Sequence, residues 1–381
     1  MTDATPIEVL GRVSPAAAEA FGQLRRAAAT GGGLDHATEH LVSVASLAAR
    51  GQLASLAVHA RRALRDGVPA EQLRQAVVAT LGAAAVFGEV VAALRALDEV
   101  ESAAAVTPGS ARVDAVFRPP AAPARQIEGP LSATLYAPDQ PETVVLLHSL
   151  AMDRRVWAPL VDPLATSVGV LTCDLPGHGR SPTGPAATVE AMADQVAATV
   201  QAAGRGPVAL AGMSLGGSVA QAVAVRHPNL VRALALLDTT AWYGPDAPVA
   251  WADRVAKARA EGMAALTGFQ LDRWFSDAFR ARRPDLCDAT LALFADTDLQ
   301  GYADACTALG AMDLRQAIGS IACPTVVVVG EHDLATPVAH AEDLHRRIAG
   351  SSLHVIPGCK HLSAVERPAA VLGHLAAAAG A

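Results

Sequence analysis

The chain has 381 residues, of which 51% are hydrophobic, 18% charged and 4% aromatic, and its net charge is −7. That balance allows one or two globular domains with a core resting on Ala, Val and Leu, and it argues against disorder. With no basic stretch, it disfavours a nucleic-acid or membrane-surface partner.

The five cysteines, Cys173, Cys287, Cys306, Cys323 and Cys359, are scattered and odd in number. No two form a CxxC pair, so neither a disulfide framework nor a structural zinc site is expected. The first residues lack a basic segment followed by an apolar run. No uninterrupted apolar stretch approaches the roughly 20 residues of a membrane helix. The expectation is a soluble, cytoplasmic protein.

The first hundred residues read as helices only. Residues 14–29 start at a Ser-Pro pair and stop at Gly31 to Gly33. Residues 35–50, 53–66 and 70–100 follow, with apolar residues recurring three and four positions apart. Asp66-Gly67-Val68-Pro69 separates the last two. Residues 1–104 therefore predict a small all-α domain, and the Pro- and Ala-rich stretch 105–124 predicts a linker.

From residue 125 strands and helices alternate. Val144–Leu147, Val168–Cys173, Pro207–Ala211, Ala233–Leu237 and Thr325–Val329 are short, almost wholly apolar strands. Apolarity on both faces marks a parallel sheet covered by helices, such as those expected over 187–203 and 216–226. Residues 242–314 interrupt the alternation with a helical insertion. In such a fold it forms a cap over the carboxyl ends of the strands, where ligands bind.

Gly212-Met213-Ser214-Leu215-Gly216 fits G-x-S-x-G between a strand and a helix, the context that the nucleophile turn of an α/β-hydrolase requires. A serine hydroxyl needs a base, and His361 follows a late strand while Asp333 lies just past Thr325–Val329. The chain order Ser, Asp, His is that of this fold. Ser214 is thus read as nucleophile, His361 as its base and Asp333 as the group orienting that base. The backbone N–H groups of Leu215 and Leu150 are read as an oxyanion hole, with an effect of ~3 kcal/mol per donor. His178 is read as structuring the turn after its strand, and His332 as lining the acid's loop. No metal and no cofactor is called for.

Beyond this constellation, residues 125–378 resemble the 3-oxoadipate enol-lactone hydrolases. The resemblance is carried in the cap by Trp251 through Arg254, Arg273-Trp274-Phe275 with Phe279, Gly301-Tyr302-Ala303 and Asp313-Leu314-Arg315. It continues in Ala335-Thr336-Pro337 and in His361-Leu362-Ser363 with Glu366 and Pro368. Asp174-Leu175-Pro176-Gly177 and His148-Ser149 depart from that family's usual spelling. The resemblance implies hydrolysis of a small carboxylated enol-lactone. Trp274 would line the pocket, and Arg154, Arg155 and Arg315 are candidates to meet the carboxylate, with a surface ion pair as the alternative for each.

Residues 34–100 resemble the carboxymuconolactone decarboxylase family, above all His59-Ala60-Arg61-Arg62-Ala63-Leu64-Arg65-Asp66-Gly67-Val68 with Glu71. The resemblance implies a second site at His59, acting on the compound one step before the enol-lactone. It equally implies a silent bundle through which a homo-oligomer assembles, and both alternatives stay open. Gln52 and Ser55 stand where peroxidase-type members carry a Cys-x-x-Cys pair, which excludes thiol redox chemistry. Glu39, His40 and Phe87 to Val90 also depart from the decarboxylase pattern.

Overall fold

The computed structural model describes residues 36–65, 68–81, 87–105, 113–183 and 187–380. The chain divides into two compact units between Pro108 and Gly109. The helix expected at 14–29 lies outside the described residues.

In the first unit the described residues form helices α1 (His36–Ala49), α2 (Leu53–Arg65), α3 (Ala70–Val78) and α4 (Phe87–Ala105). Each puts one apolar stripe into a shared core: Val44 and Ala48, then Leu56, Ala60 and Ala63, then Leu73 and Val77, and last Val90, Ala93 and Leu97. These are the three- and four-residue steps that lay side chains on one helix face. The single helix expected over 70–100 is two helices. The first closes in tight turns, in which the N–H groups of Thr80 and Leu81 donate to Val77 and Val78. Gly82, a poor helix former, comes next in the chain.

The second unit holds an eight-stranded sheet. Its strands are β1 (Ala124–Ile127), β2 (Ala133–Tyr136), β3 (Thr143–Leu147), β4 (Gly169–Cys173), β5 (Val208–Met213), β6 (Val231–Leu237), β7 (Thr325–Gly330) and β8 (Ser352–Ile356). Their spatial order is β1-β2-β4-β3-β5-β6-β7-β8. The first three in that order pair antiparallel and the rest parallel. Strands β3, β4 and β5 are buried along their whole length, as continuous apolar runs require. Helix α5 (Ala158–Ala165) leads from β3 to β4, and α6 (Val189–Ala202) from β4 to β5. Helix α7 (Leu215–Arg226) follows β5 at the centre of the sheet. Its residues from Leu215 to Ala224 are all buried, and their small side chains let it sit close between strands and neighbours.

The linker reading of 105–124 is corrected over its second half. Val113 and Phe117 are buried in the core of the second unit, and the N–H groups of Ala121 and Ala122 donate to Asp162. Two anchoring side chains among prolines and alanines hold this stretch in place.

The insertion between β6 and β7 forms the cap, with α8 (Ala247–Glu261), α9 (Gln270–Trp274), α10 (Asp277–Arg282), α11 (Pro284–Ala295) and α12 (Leu299–Ala311). Helix α12 packs along α8. Its start meets the loop after β4 backbone to backbone, at Gly301 and Gly177, where a Cβ on either residue would overlap the other. The chain ends with α13 (Val338–Arg347), α14 (Ser363–Glu366) and α15 (Pro368–Ala379). No described helix is long and apolar enough to cross a membrane.

Candidate active site

Ser214 sits in the turn between β5 and α7 with φ 56° and ψ −116°. For a residue with a Cβ this conformation costs about 1–3 kcal/mol, so the surroundings must impose it. They do so through close packing. A Cβ at Gly212 would overlap the carbonyl of Gly216, and one at Gly216 would overlap that of Leu147. The turn also donates the Ser214 N–H to Leu237 O at 2.9 Å.

His361, in the loop after β8, brings Nε2 to 3.0 Å from Ser214 Oγ. Its Nδ1 lies 2.8 Å from Asp333 Oδ2. Asp333, in the loop after β7, also accepts the N–H groups of Ala335 and Thr336 and the Thr336 hydroxyl. All three side chains are buried, with residue exposures of 5%, 4% and 4% in the order Ser214, His361, Asp333. Burial opposes charge on His361, yet the adjacent Asp333 carboxylate outweighs it and holds the imidazole above the ordinary histidine value. Burial likewise opposes charge on Asp333, but His361 and the donated hydrogen bonds keep its pKa low. The arrangement lets the serine proton pass to an imidazole whose cation is stabilised in advance.

Leu215 is the first residue of α7, and first-turn N–H groups have no intrahelical acceptor. Leu150 lines the same cavity as Ser214, in a loop bent by a positive φ at Ala151. That loop is tied to α7 by the Gly216 N–H, which donates to His148 O at 3.0 Å. His148 fixes it further, since its Nδ1 lies 2.8 Å from Ser149 O while Nε2 accepts the Leu175 N–H at 2.8 Å. Accepting at Nε2 leaves the proton on Nδ1, and burial pushes this histidine down to about 4, so it stays neutral.

In front of Ser214 lies a cavity of about 260 Å³, roofed by α8 and α9. Trp274 lines it, with its ring edge against Phe294. The three arginines expected to meet a carboxylate do not line it, and this is a correction. Arg154 pairs with Asp174 and donates to Ser132, Arg155 with Asp153 and Asp114, and Arg315 pairs with Asp313 and stacks on Trp242. Each has a nearer carboxylate, which satisfies it locally. The arginines that do line the cavity are Arg254 and Arg273. Arg254 stacks on Trp251 and Phe269, and its Nε is buried without a partner. Burial and then the Arg254 charge lower the pKa of Arg273. Gln270, 2% exposed, also lines the cavity and leaves Nε2 unpaired. The sequence held these residues within its cap motifs, but nothing in spacing separates an arginine facing a cavity from one in a surface ion pair.

His178 lies buried against His148, with Nδ1 2.9 Å from Pro176 O, inside the turn it shapes. His332 is exposed on the acid's loop beside Glu331. His59 lies in α2 of the first unit, away from any of these groups in sequence. Asp238, the residue directly after β6, has no counterpart in the sequence reading. It is wholly buried, and burial together with the Asp333 charge raises it to about 7. Among the described residues no cluster of His, Cys, Asp and Glu could hold a metal ion.

Residues 144–373 match the alpha/beta hydrolase family, and residues 15–99 match the carboxymuconolactone decarboxylase family. The chain is 29% identical over 238 residues to 3-oxoadipate enol-lactonase 1 of Acinetobacter baylyi, covering 62% of this chain and 88% of that protein. It is 32% identical over 232 residues to the pimeloyl-[acyl-carrier protein] methyl ester esterase of Chromobacterium violaceum, covering 57% and 86%. The solved structure of the enol-lactonase from Burkholderia xenovorans LB400 superposes with a TM-score of 0.62 at 31% identity, over 67% of this chain and 98% of that one.

Proposed function

The chain belongs to the α/β hydrolase family and is a carboxylic-ester hydrolase, and from that premise we propose that Ser214 opens a small carboxylated enol-lactone. Ser214 Oγ adds to the ring carbonyl as His361 takes its proton, and the oxyanion rests on the N–H groups of Leu150 and Leu215. Collapse breaks the acyl–oxygen bond, and His361 returns the proton to the departing enol oxygen. Water activated by His361 then releases the open-chain 3-oxo acid.

The observation that carries this reading is the join of two features. The Ser214–His361–Asp333 chain of hydrogen bonds faces a small cavity, and that cavity holds two arginines without carboxylate partners among the described residues. Similarity to an enol-lactonase on both the sequence and the structure side supports the same substrate. A fluorophosphonate probe tests the chemical core. It should add one phosphonyl group to the intact protein at Ser214, and labelling that persists in Ser214→Ala would refute it.

For the first unit, the match of residues 15–99 supports a second reading, in which it assembles the protein or decarboxylates a related lactone at His59. Assembly is the reading we favour. Val42, Val78 and Leu81 leave apolar side chains 51%, 49% and 45% exposed on this unit.

A further inference from the structure

We propose that Asp238 is a positioning residue of the hydrolytic centre, whose two carboxylate oxygens join the loop of Asp333 to the loop of His361. The inference rests on the triad reading above. Asp238 Oδ1 accepts the N–H of Gly330 at 3.1 Å, and Oδ2 accepts the N–H of Ser363 at 2.9 Å. Gly330 ends β7, three residues before Asp333, and Ser363 stands two residues after His361. One buried side chain therefore spans the two segments whose separation sets the Asp333–His361 hydrogen bond.

The same stretch of chain also holds the nucleophile. Leu237 O accepts the N–H of Ser214, and the Thr239 hydroxyl donates to Ser214 O at 2.7 Å. Residues 237–239 thus contact all three loops that meet at the site. The sheet order explains why, since β6 lies between β5, which ends at the Ser214 turn, and β7. Asp238 adopts φ 47°, a left-handed conformation uncommon for a residue with a side chain. Its N–H is held by Val328 O at 2.9 Å.

No lysine or arginine pairs with this carboxylate among the described residues, and the ionisable groups around it are Asp333, His361 and Cys359. A buried carboxylate beside another is costly, so a purely structural role would be met better by a neutral residue. Its use lies in accepting two N–H groups at a fixed spacing. Asparagine offers one acceptor and turns an NH2 group toward the other donor, while alanine leaves both donors unpaired.

The test compares wild type, Asp238→Asn, Asp238→Ala and Ser214→Ala on p-nitrophenyl acetate. Rates of wild type and the Asp238 variants are normalised to sites titrated by a fluorophosphonate, that of Ser214→Ala to protein concentration, and all are taken well below each variant's melting temperature. Both Asp238 variants should lose about 10–100-fold in kcat with KM within about twofold, because small misplacements of reacting groups have effects of this size. In Asp238→Asn the acid limb of kcat/KM should also move to lower pH, since a negative neighbour of His361 is gone. Should Asp238→Ala fail to fold, the near-isosteric asparagine variant decides. A folded Asp238→Asn with wild-type kcat per titrated site and an unmoved acid limb would overturn the proposal, whatever its melting temperature. Activity persisting in Ser214→Ala would overturn the triad reading itself, which separates the two failures.

Discussion

Arg254 and Arg273 line one cavity in front of Ser214, and neither has an ion-pair partner among the described residues. Two guanidinium groups facing one cavity are held against their mutual repulsion, and an anionic ligand relieves it. Losing one charged hydrogen bond typically costs about 1.5–3 kcal/mol, or about 10–150-fold in affinity. Arg254→Ala and Arg273→Ala should each raise KM for a carboxylated lactone by about that factor, while KM for an uncharged ester of similar size changes little. Steady-state kinetics on the two substrates checks this. Equal effects on both would mean that the arginines only shape the cap.

In the proposed mechanism His361 works as the neutral imidazole, so activity should be lost as pH falls through its pKa. Burial alone would lower that pKa, but Asp333 raises it above the usual histidine value. The acid limb of kcat/KM should therefore centre above about 6.5, the ordinary histidine value. Asp333→Asn removes the raising charge, so the limb should move down while the maximal rate falls by about 10⁴-fold, as an uncharged orienting group favours the wrong tautomer. A pH–rate profile of both proteins measures limb and maximum together.

Gly216 is a tight point of the nucleophile turn, with the carbonyls of Leu147 and His148 where a Cβ would go. Gly216→Ala must push α7 away from β3 and displace the Leu215 N–H with it. The expected outcome is loss of hydrolysis by at least about 10²-fold, the usual weight of one oxyanion donor. Circular dichroism beside the rate distinguishes a displaced turn from an unfolded chain.

Each unit has its own buried core, eleven of the first unit's described residues forming a cluster distinct from that of the second. Deleting residues 1–108 should leave p-nitrophenyl acetate hydrolysis per titrated site within about twofold of the full chain. Sedimentation should show a smaller assembly. An unchanged assembly would place the contacts between copies in the hydrolase unit instead.

Periodicity made most of this architecture legible. The strands from Val144 to Val329 are apolar on both faces, and the stripes of α1, α2 and α4 repeat at helical steps. Strands β1 and β2 were not legible, because Ala124–Ile127 is mostly exposed and Ala133–Tyr136 is only four residues long. The break between α3 and α4 was hidden because Gly82 is a lone glycine in an alanine-rich stretch, and a helical pattern tolerates one. At the site, Ser214, Asp333 and His361 stood out through motif, chain order and position after strands. Asp238 and the pair Arg254 and Arg273 did not, since their importance comes from which loops and which cavity the fold brings to them. Arg154, Arg155 and Arg315 were as visible in the sequence as the two that face the cavity. Only the nearby carboxylates of Asp174, Asp153 and Asp313 explain why they are spent elsewhere.

The most direct measurement supplies purified protein with 3-oxoadipate enol-lactone, and separately with 4-carboxymuconolactone, alongside Ser214→Ala. The account predicts that wild type consumes the enol-lactone while Ser214→Ala leaves it at the uncatalysed rate. Consumption of 4-carboxymuconolactone by both proteins would add a decarboxylase activity in the first unit. An enol-lactone left untouched by wild type, while a simple ester is cleaved through Ser214, would contradict the substrate and leave only the hydrolase.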